Sequence, residues 1–503
     1  MLTTSEDLGM ISVMKVATSR LTSADFAALR KAQMAAEERG RFAHLVDLSG
    51  VRRAAVSGLA ALLEFQSATK SNGSIAFFGA QPAVKAEIHK LGIAPLLSLF
   101  DTRKEALAHP AFRACQLAGV KSVLLVAGAG SRMAPISHDT PKPLVDLLGQ
   151  PVIEHVMRHL ESFGLRDFIL NPGHLGPQFH TRFKTTAHRS IQFFNEGQFV
   201  NRRWQPAPLG SAGTLLALQA QCAAFEEDFF VFCGDAIINI DLAEMMAQHR
   251  ASGAEVTVAA TSVPHEEVHK YGIIEADARG RITHFVEKPA SEQTQSRLAS
   301  TGIYVMKPSA LRHLSSRFTL PDASMQGLDI AQHLLPEILK SGAALQVYEA
   351  PFDWVDIGCP KDYFAAVSKA LRGLIAGVSP EAQEVRRHVW LAPGAELSAR
   401  AVVVGPCYIG PGAKVLAGAK LDGPTVVGAG ARVAPRALVQ RSILMPNTAV
   451  ALGTWLSDMI VSADWAIDHR FADGGTTSAV PMEGVTHAEV AQAPVDLPRV
   501  GSL

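Results

Sequence analysis

An excess of one sign of charge is missing from this 503-residue chain: 47 Lys and Arg balance 47 Asp and Glu, for a formal net charge of zero. That excludes a generally basic nucleic-acid binder, and no nucleic-acid partner is expected. Cysteine is also scarce. The five (Cys115, Cys222, Cys233, Cys359 and Cys407) are scattered, odd in number and never in a CxxC pair. The spacing argues against a structural zinc site and for free thiols in a reducing cytoplasm. No run of about 18 apolar residues is present to span a bilayer. The opening MLTTSEDLGMISV lacks a basic region followed by an apolar signal core. The expected location is therefore cytoplasmic, without membrane insertion. At 48% hydrophobic and 19% charged, the chain is globular, and its length calls for about three domains.

The most informative stretch is VLLVAGAGSRMAPISHDTPKPL, from Val123 to Leu144. An apolar strand runs into a short glycine loop, followed by one arginine and one lysine. Gly128 and Gly130 leave room for a polyanion and can take backbone angles closed to other residues. Amides in such a loop form a donor nest for phosphate oxygens. Arg132 can fork onto a phosphate, and Lys142, held between Pro141 and Pro143, is a stiffly presented point charge. A dinucleotide fingerprint would need a third glycine where Met133 stands, and a Walker loop would need Gly-Lys-Ser/Thr. Neither fits. On glycine and charge alone, an ordinary strand-to-helix turn fits equally well.

Three periodicities divide the chain. Residues 9–113 alternate strand and helix: Ser23 is placed to cap a helix through DFAALRKAQMAAEERG, which Gly40 ends, and SGLAALLEFQ and PAVKAEIHKLG follow strands AHLV and SIAFFGA. Residues 121–375 alternate apolar strands (SVLLVA, DFIL, FFVFCGD, EVTVAATSV) with helical stretches such as VIEHVMRHLESFG. That order predicts an α/β domain with a mainly parallel sheet and ligands beyond the carboxyl ends of its strands. Then Leu391, Leu397, Val403, Ile409, Val415, Leu421, Val427, Val433 and Val439 recur every six residues. A hexapeptide repeat places one aliphatic residue per short strand inside a triangular parallel β-helix, predicted left-handed over 388–460. No histidine lies between Trp390 and Asp468, so the general base of hexapeptide acetyltransferases is missing. A structural or oligomerising role is expected instead. Residues 464–503 are expected to form a flexible tail.

AGAGSRMAPIS…PKPL resembles the signature of sugar-1-phosphate nucleotidyltransferases, normally GxGTRLxPLT…PKP. Ser131 replaces the usual threonine and Met133 the leucine. Further matches follow in the family's order: Pro208-Leu209-Gly210-Ser211-Ala212-Gly213, Gly234-Asp235, Tyr271-Gly272, Glu287-Lys288-Pro289 and Trp354-Val355-Asp356-Ile357-Gly358. The resemblance implies a Rossmann-like, GT-A-like core. It also implies a reaction joining a nucleoside triphosphate to a sugar 1-phosphate with release of pyrophosphate. Arg132 and Lys142 would then be catalytic. Ala127, Gly128, Gly130, Ser131, Gln205 and Gly210 would bind the nucleotide, and Gly272, Glu287 and Lys288 the sugar phosphate. Asp235 and Asp356 would hold Mg2+. GDP-mannose-type synthesis is the first reading, with thymidylyl or uridylyl transfer to glucose- or amino sugar-1-phosphate the alternative.

The first module is similar to STAS domains, through VDLSGV and the SGL helix start. Relatives begin that helix Asp-Ser-Ser-Gly and phosphorylate the first serine. Here Val56 holds that position, so the usual phosphoswitch is not expected, and Ser57 reads as a helix cap. The resemblance implies a docking or self-association module, a homo-oligomer through it or the β-helix, and as a rival reading a non-catalytic nucleotide-sugar sensor.

Overall fold

The computed structural model describes residues 2–67, 74–315, 327–473 and 480–481. At the amino end, strands Leu2–Leu8, Ile11–Val16, Ala43–Asp47, Ser74–Phe78 and Leu99–Phe100 form one sheet in that order. The last four run parallel, and Leu2–Leu8 adds an antiparallel edge. The module thus begins before residue 9. Helices Ala24–Glu38, Val56–Ser67 and Pro82–Lys90 lie where the sequence predicts them. Two capping expectations are corrected. Ser23 occupies the cap position without a side-chain bond, and Thr22 instead donates its amide and hydroxyl to Asp25. Ser57 lies inside the first turn of its helix, whose opening carbonyl is that of Ala55.

The enzyme core is built on a sheet ordered Ser190–Phe193, Asp167–Leu170, Lys121–Leu125, Phe229–Cys233, Leu298–Met306, Val256–Ser262 and Leu345–Glu349. The first four are mutually parallel. Leu298–Met306 runs antiparallel to both its neighbours, so the parallel run is broken once. Alternate residues along each strand feed opposite faces. Val123, Phe229 and Val231 enter one apolar cluster, Leu124, Phe230 and Phe232 another. Lys121–Leu125 comes first in the chain, and its two neighbours follow on opposite sides. A crevice therefore opens beyond its carboxyl end.

Helix Pro360–Leu371 leads to the third unit. Short strands from Val389–Leu391 onward stack into three parallel sheets, each contributing one strand per coil. The nine aliphatic residues of the repeat point inward, followed by Leu444, Val450, Leu456 and Val461. Coils pair 18 residues apart up to Asp422↔Gln440, then 17 apart from Val426↔Ile443 onward. One residue is dropped after Val439, and the interior series continues at Leu444. Residues 464–473 are packed, contrary to the expected tail. Trp465–Asp468 pairs antiparallel with Met459–Val461, and Ala472 is fully buried. The rest of that tail, apart from Val480–Pro481, lies outside the described residues. No helix among the described residues is long and apolar enough to cross a membrane.

Candidate active site

The glycine loop begins where Lys121–Leu125 ends. Gly130 has φ +61 and starts the tight turn Ser131–Met133. A Cβ there would stand 3.2 Å from Cβ of Lys142, so glycine lets the loop lie against the lysine. Gly128 serves differently. Its backbone is not left-handed and a Cβ would meet nothing within 4 Å, so its bareness leaves the cavity floor open. Ala127, Gly128, Gly130, Ser131, Arg132, Lys142, Gly210 and Asp235 all line one cavity of 420 Å³.

Asp235 and Asp356 are 121 positions apart and meet across a two-strand ladder. Ala236–Ile238 pairs antiparallel with Trp354–Asp356, Ala236 opposite Asp356. Between the carboxylates stands Lys142, only 7% exposed. Its Nζ lies 2.6 Å from Asp235 Oδ2 and 3.5 Å from Asp356 Oδ1. Burial alone would lower the lysine pKa, but the fields of Asp235 and Asp356 outweigh it and hold the pKa above its ordinary value. Burial raises the Asp356 carboxyl, against the lowering field of Lys142. The ammonium thus fills a position that favours a cation. Two carboxylates at a phosphate-sized cavity suit a hard divalent ion, which is usually held by one or two carboxylates plus phosphate oxygens.

Asp356 also borders a second cavity, of 440 Å³, with Tyr271, Trp354, Glu267, Lys270 and Asp362. The charged cluster therefore stands between two chambers. Tyr271 packs edge-on against Trp354 with ring centroids 5.0 Å apart. Gly272, Glu287 and Lys288 come together on one hairpin in which Gly272 pairs with Glu287. A Cβ on Gly272 would strike the Phe285 ring at 2.5 Å. Lys288 Nζ lies 3.2 Å from Glu287 Oε1, and its amide bonds the Tyr271 carbonyl at 3.0 Å. These three adjoin the second chamber through Tyr271 and line neither cavity.

Gln205 is not brought to the site. It lies exposed on a hairpin of Gly197–Val200 and Arg203–Pro206, away from the cavity lining. The residue reaching the wall is Glu196, 2% exposed. It accepts bonds from Asn171 Nδ2 at 2.9 Å, from the Leu209 amide at 2.9 Å and from the Thr214 hydroxyl. Asn171 Oδ1 in turn accepts the Val126 amide at 2.6 Å. The clamp ties the strand feeding the glycine loop to the turn carrying Gly210, whose φ of +84 places it against the Leu328 backbone. A glutamate flanked by Asn and Gly looks like a solvated turn, so sequence alone gave little signal for it.

Crevice, glycine loop and paired aspartates define an α/β enzyme that handles nucleotide phosphates. Residues 121–373 match the family described as Nucleotidyl transferase, and residues 12–98 match the one described as Mlab, STAS domain. The UTP--glucose-1-phosphate uridylyltransferase of Synechocystis is 32% identical over 354 residues, 69% of this chain and 89% of that protein. The mannose-1-phosphate guanylyltransferase catalytic subunit beta of Drosophila melanogaster is 30% identical over 266 residues, 52% of this chain and 66% of that protein. Among solved structures, a UDP-glucose pyrophosphorylase from Acinetobacter baumanii matches at 23% identity and TM-score 0.42, covering 50% of this chain and 94% of that one. The chain belongs to the nucleotidyl transferase family, with a STAS domain ahead of the catalytic unit.

Proposed function

We propose that this protein condenses a nucleoside triphosphate with a sugar 1-phosphate, giving a nucleotide sugar and pyrophosphate. The observation that carries this reading is the Lys142–Asp235–Asp356 cluster standing between two cavities, one walled by the glycine loop. The names of the curated relatives support the same reaction class.

In this reading the triphosphate lies on the glycine loop and the sugar phosphate enters beside Tyr271 and Trp354. An oxygen of the sugar phosphate attacks the α-phosphorus, and the bond to the β-phosphate's bridging oxygen breaks. Two polyanions must approach, so the protein chiefly positions and neutralises. Lys142 screens the attacking phosphate from the α-phosphate. Exposed Arg132, at the cavity wall, takes the charge that builds on the departing pyrophosphate. Glu196 and Asn171 hold the two nucleotide-facing loops at a fixed separation. Asp235 and Asp356 would hold Mg2+, which supplies positive charge to phosphate oxygens when bound.

GDP-mannose-type transfer is the first reading of the substrates, supported by the Drosophila relative, which is named a mannose-1-phosphate guanylyltransferase catalytic subunit. Uridylyl transfer to glucose 1-phosphate is the second, favoured by the Synechocystis relative, which aligns along 89% of its own length. Pyrophosphate release across five nucleoside triphosphates and several sugar 1-phosphates, with Mg2+, tests the proposal. One strong combination establishes the activity with its base and sugar. A blank grid from folded protein overturns it and leaves the sensor reading.

A further inference from the structure

The proposed reaction uses neither the N-terminal module nor a cavity of 1020 Å³, larger than either active-site chamber, at its junction with the enzyme core. The body of this cavity is apolar. Leu8 and Leu107 come from the N-terminal module, and Phe163, Ile237, Ile238 and Val378 from the core. Its volume is of the size that encloses a small molecule.

The charged groups around it are not all engaged. Arg103 forks onto Glu6, both bonds 3.0 Å. Arg158 bonds Glu381 at 2.7 Å. On the core side, Asp241 caps helix Leu242–Ser252 by accepting the Glu244 amide at 3.0 Å, and Glu244 sits in the first turn of that helix. The positive end of the helix favours both acids, and Glu244 also accepts the Tyr348 hydroxyl at 3.4 Å. Two cations remain, both from the N-terminal side. Lys104 makes no ion pair among the described residues. Arg113 makes none either, and is held only by the Ser162 carbonyl at 3.3 Å and the Phe163 ring at 5.3 Å. An apolar chamber with two uncommitted cations complements an amphipathic anion.

The walls also adjoin the catalytic carboxylates. Ile237 and Ile238 belong to the strand that begins one residue after Asp235 and pairs with Trp354–Asp356. Helix Val152–Glu161, whose His155, Arg158 and His159 border the cavity, places Ile153 Cδ1 3.6 Å from where a Gly234 Cβ would be. We propose that this cavity is an effector site for a small amphipathic anion, a carboxylate or phosphate on an apolar body. Lys104 and Arg113 take the head group, and occupancy is transmitted to Asp235 through strand Ala236–Ile238. The transmission rests on the nucleotidyl-transfer reading above; the binding does not.

Calorimetric titration of the full chain with dodecanoate and dodecyl phosphate, below their micelle concentrations, tests the binding. Dodecyltrimethylammonium serves as the cation of equal chain length and inorganic phosphate as the bare head group. One anion per chain is expected, with the tighter of the two identifying the head group. Binding should weaken at least tenfold in Lys104→Glu/Arg113→Glu and again in Ala247→Phe, which narrows the apolar side from an exposed position. No binding, equal binding of the ammonium surfactant, or unchanged binding in the charge-reversed protein overturns the site. Pyrophosphate release with and without the bound anion tests the transmission. A change in turnover in the parent, absent in the charge-reversed protein, supports it, and identical turnover overturns it. A protein inactive on every substrate removes the nucleotidyl-transfer reading while the titration still decides the site.

Discussion

Lys142 is a buried ammonium that keeps its charge because Asp235 and Asp356 face it. Lys142→Met leaves those carboxylates to repel each other beside the phosphates. Turnover is expected to fall about a hundredfold, equivalent to ~3 kcal/mol of transition-state stabilisation, and the thermal midpoint should drop as well. Steady-state pyrophosphate release and circular dichroism check both. Asp235→Ala should abolish Mg2+-dependent turnover while leaving the fold intact, because Asp235 stands at a strand end with its side chain 32% exposed. Normal turnover by that variant would sink the metal assignment. Glu196→Ala strips an acceptor from two buried donors and from the half-buried Leu209 amide, so a stability loss of about 3 kcal/mol is expected in denaturant titration. At this scale the sequence was unevenly legible. Arg132, Lys142 and both aspartates lie in motifs whose order could be matched along the chain. Gln205, read as nucleotide-binding, lies off the cavity lining because residues 197–206 form a hairpin that no periodicity announces. Glu196 went unread because its burial depends on Asn171 and Thr214, which are 25 and 18 positions away.

Among the elements, the short strand Asp146–Leu147 puts Leu147 into the apolar cluster that the catalytic unit shares with the β-helix. The Asp146 carbonyl accepts the Tyr363 hydroxyl at 2.7 Å, and a Cβ on nearby Gly149 would stand 2.5 Å from the Tyr408 hydroxyl. Burial pushes the Asp146 carboxyl up from 3.8 to about 6, only partly offset by its bond from the Gly149 amide. The folded state therefore keeps a proton that the unfolded chain releases near 3.8. Between these values the folded form binds more protons, so stability falls as pH rises and stays lowered above about 6. Asp146→Asn removes the buried charge and keeps an acceptor for the Gly149 amide. Its thermal midpoint should exceed the parent's at pH 8, by up to ~3 kcal/mol in stability, and match it near pH 4. An equal midpoint at pH 8 would contradict the burial argument. The β-helix itself was read from one aliphatic residue every six positions, a period no other element shares. Its shift from 18 to 17 residues per coil was not, because Met445, six positions after Val439, is as apolar as the Leu444 that takes the interior place. Edge strand Leu2–Leu8 escaped notice because LTTSEDL carries too few apolar residues to announce a strand.

Over the whole molecule, core composition says which units should melt together. One apolar cluster holds Met133, Val152, Tyr363 and Leu371 of the catalytic unit together with Tyr408, Val426, Ile443 and Ile460 of the β-helix. Neither unit can lose its fold without exposing apolar surface of the other, so a single cooperative transition is expected for both. The two clusters of the N-terminal module contain no residue beyond Cys115. Its hydrogen bonds to the core include the Arg113 guanidinium to the Ser162 carbonyl and, just past the module, the Leu117 amide to the Phe163 carbonyl, beside the cavity described above. Scanning calorimetry should therefore show two endotherms. The smaller belongs to the N-terminal module and the larger to the catalytic unit and β-helix as one. Cutting the chain after residue 385 should lower the larger transition sharply, since it bares Tyr363, Val367 and Leu371 to water, while leaving the smaller one in place. Separate melting of the β-helix, or a catalytic unit equally stable without it, would show that the shared cluster does not couple them.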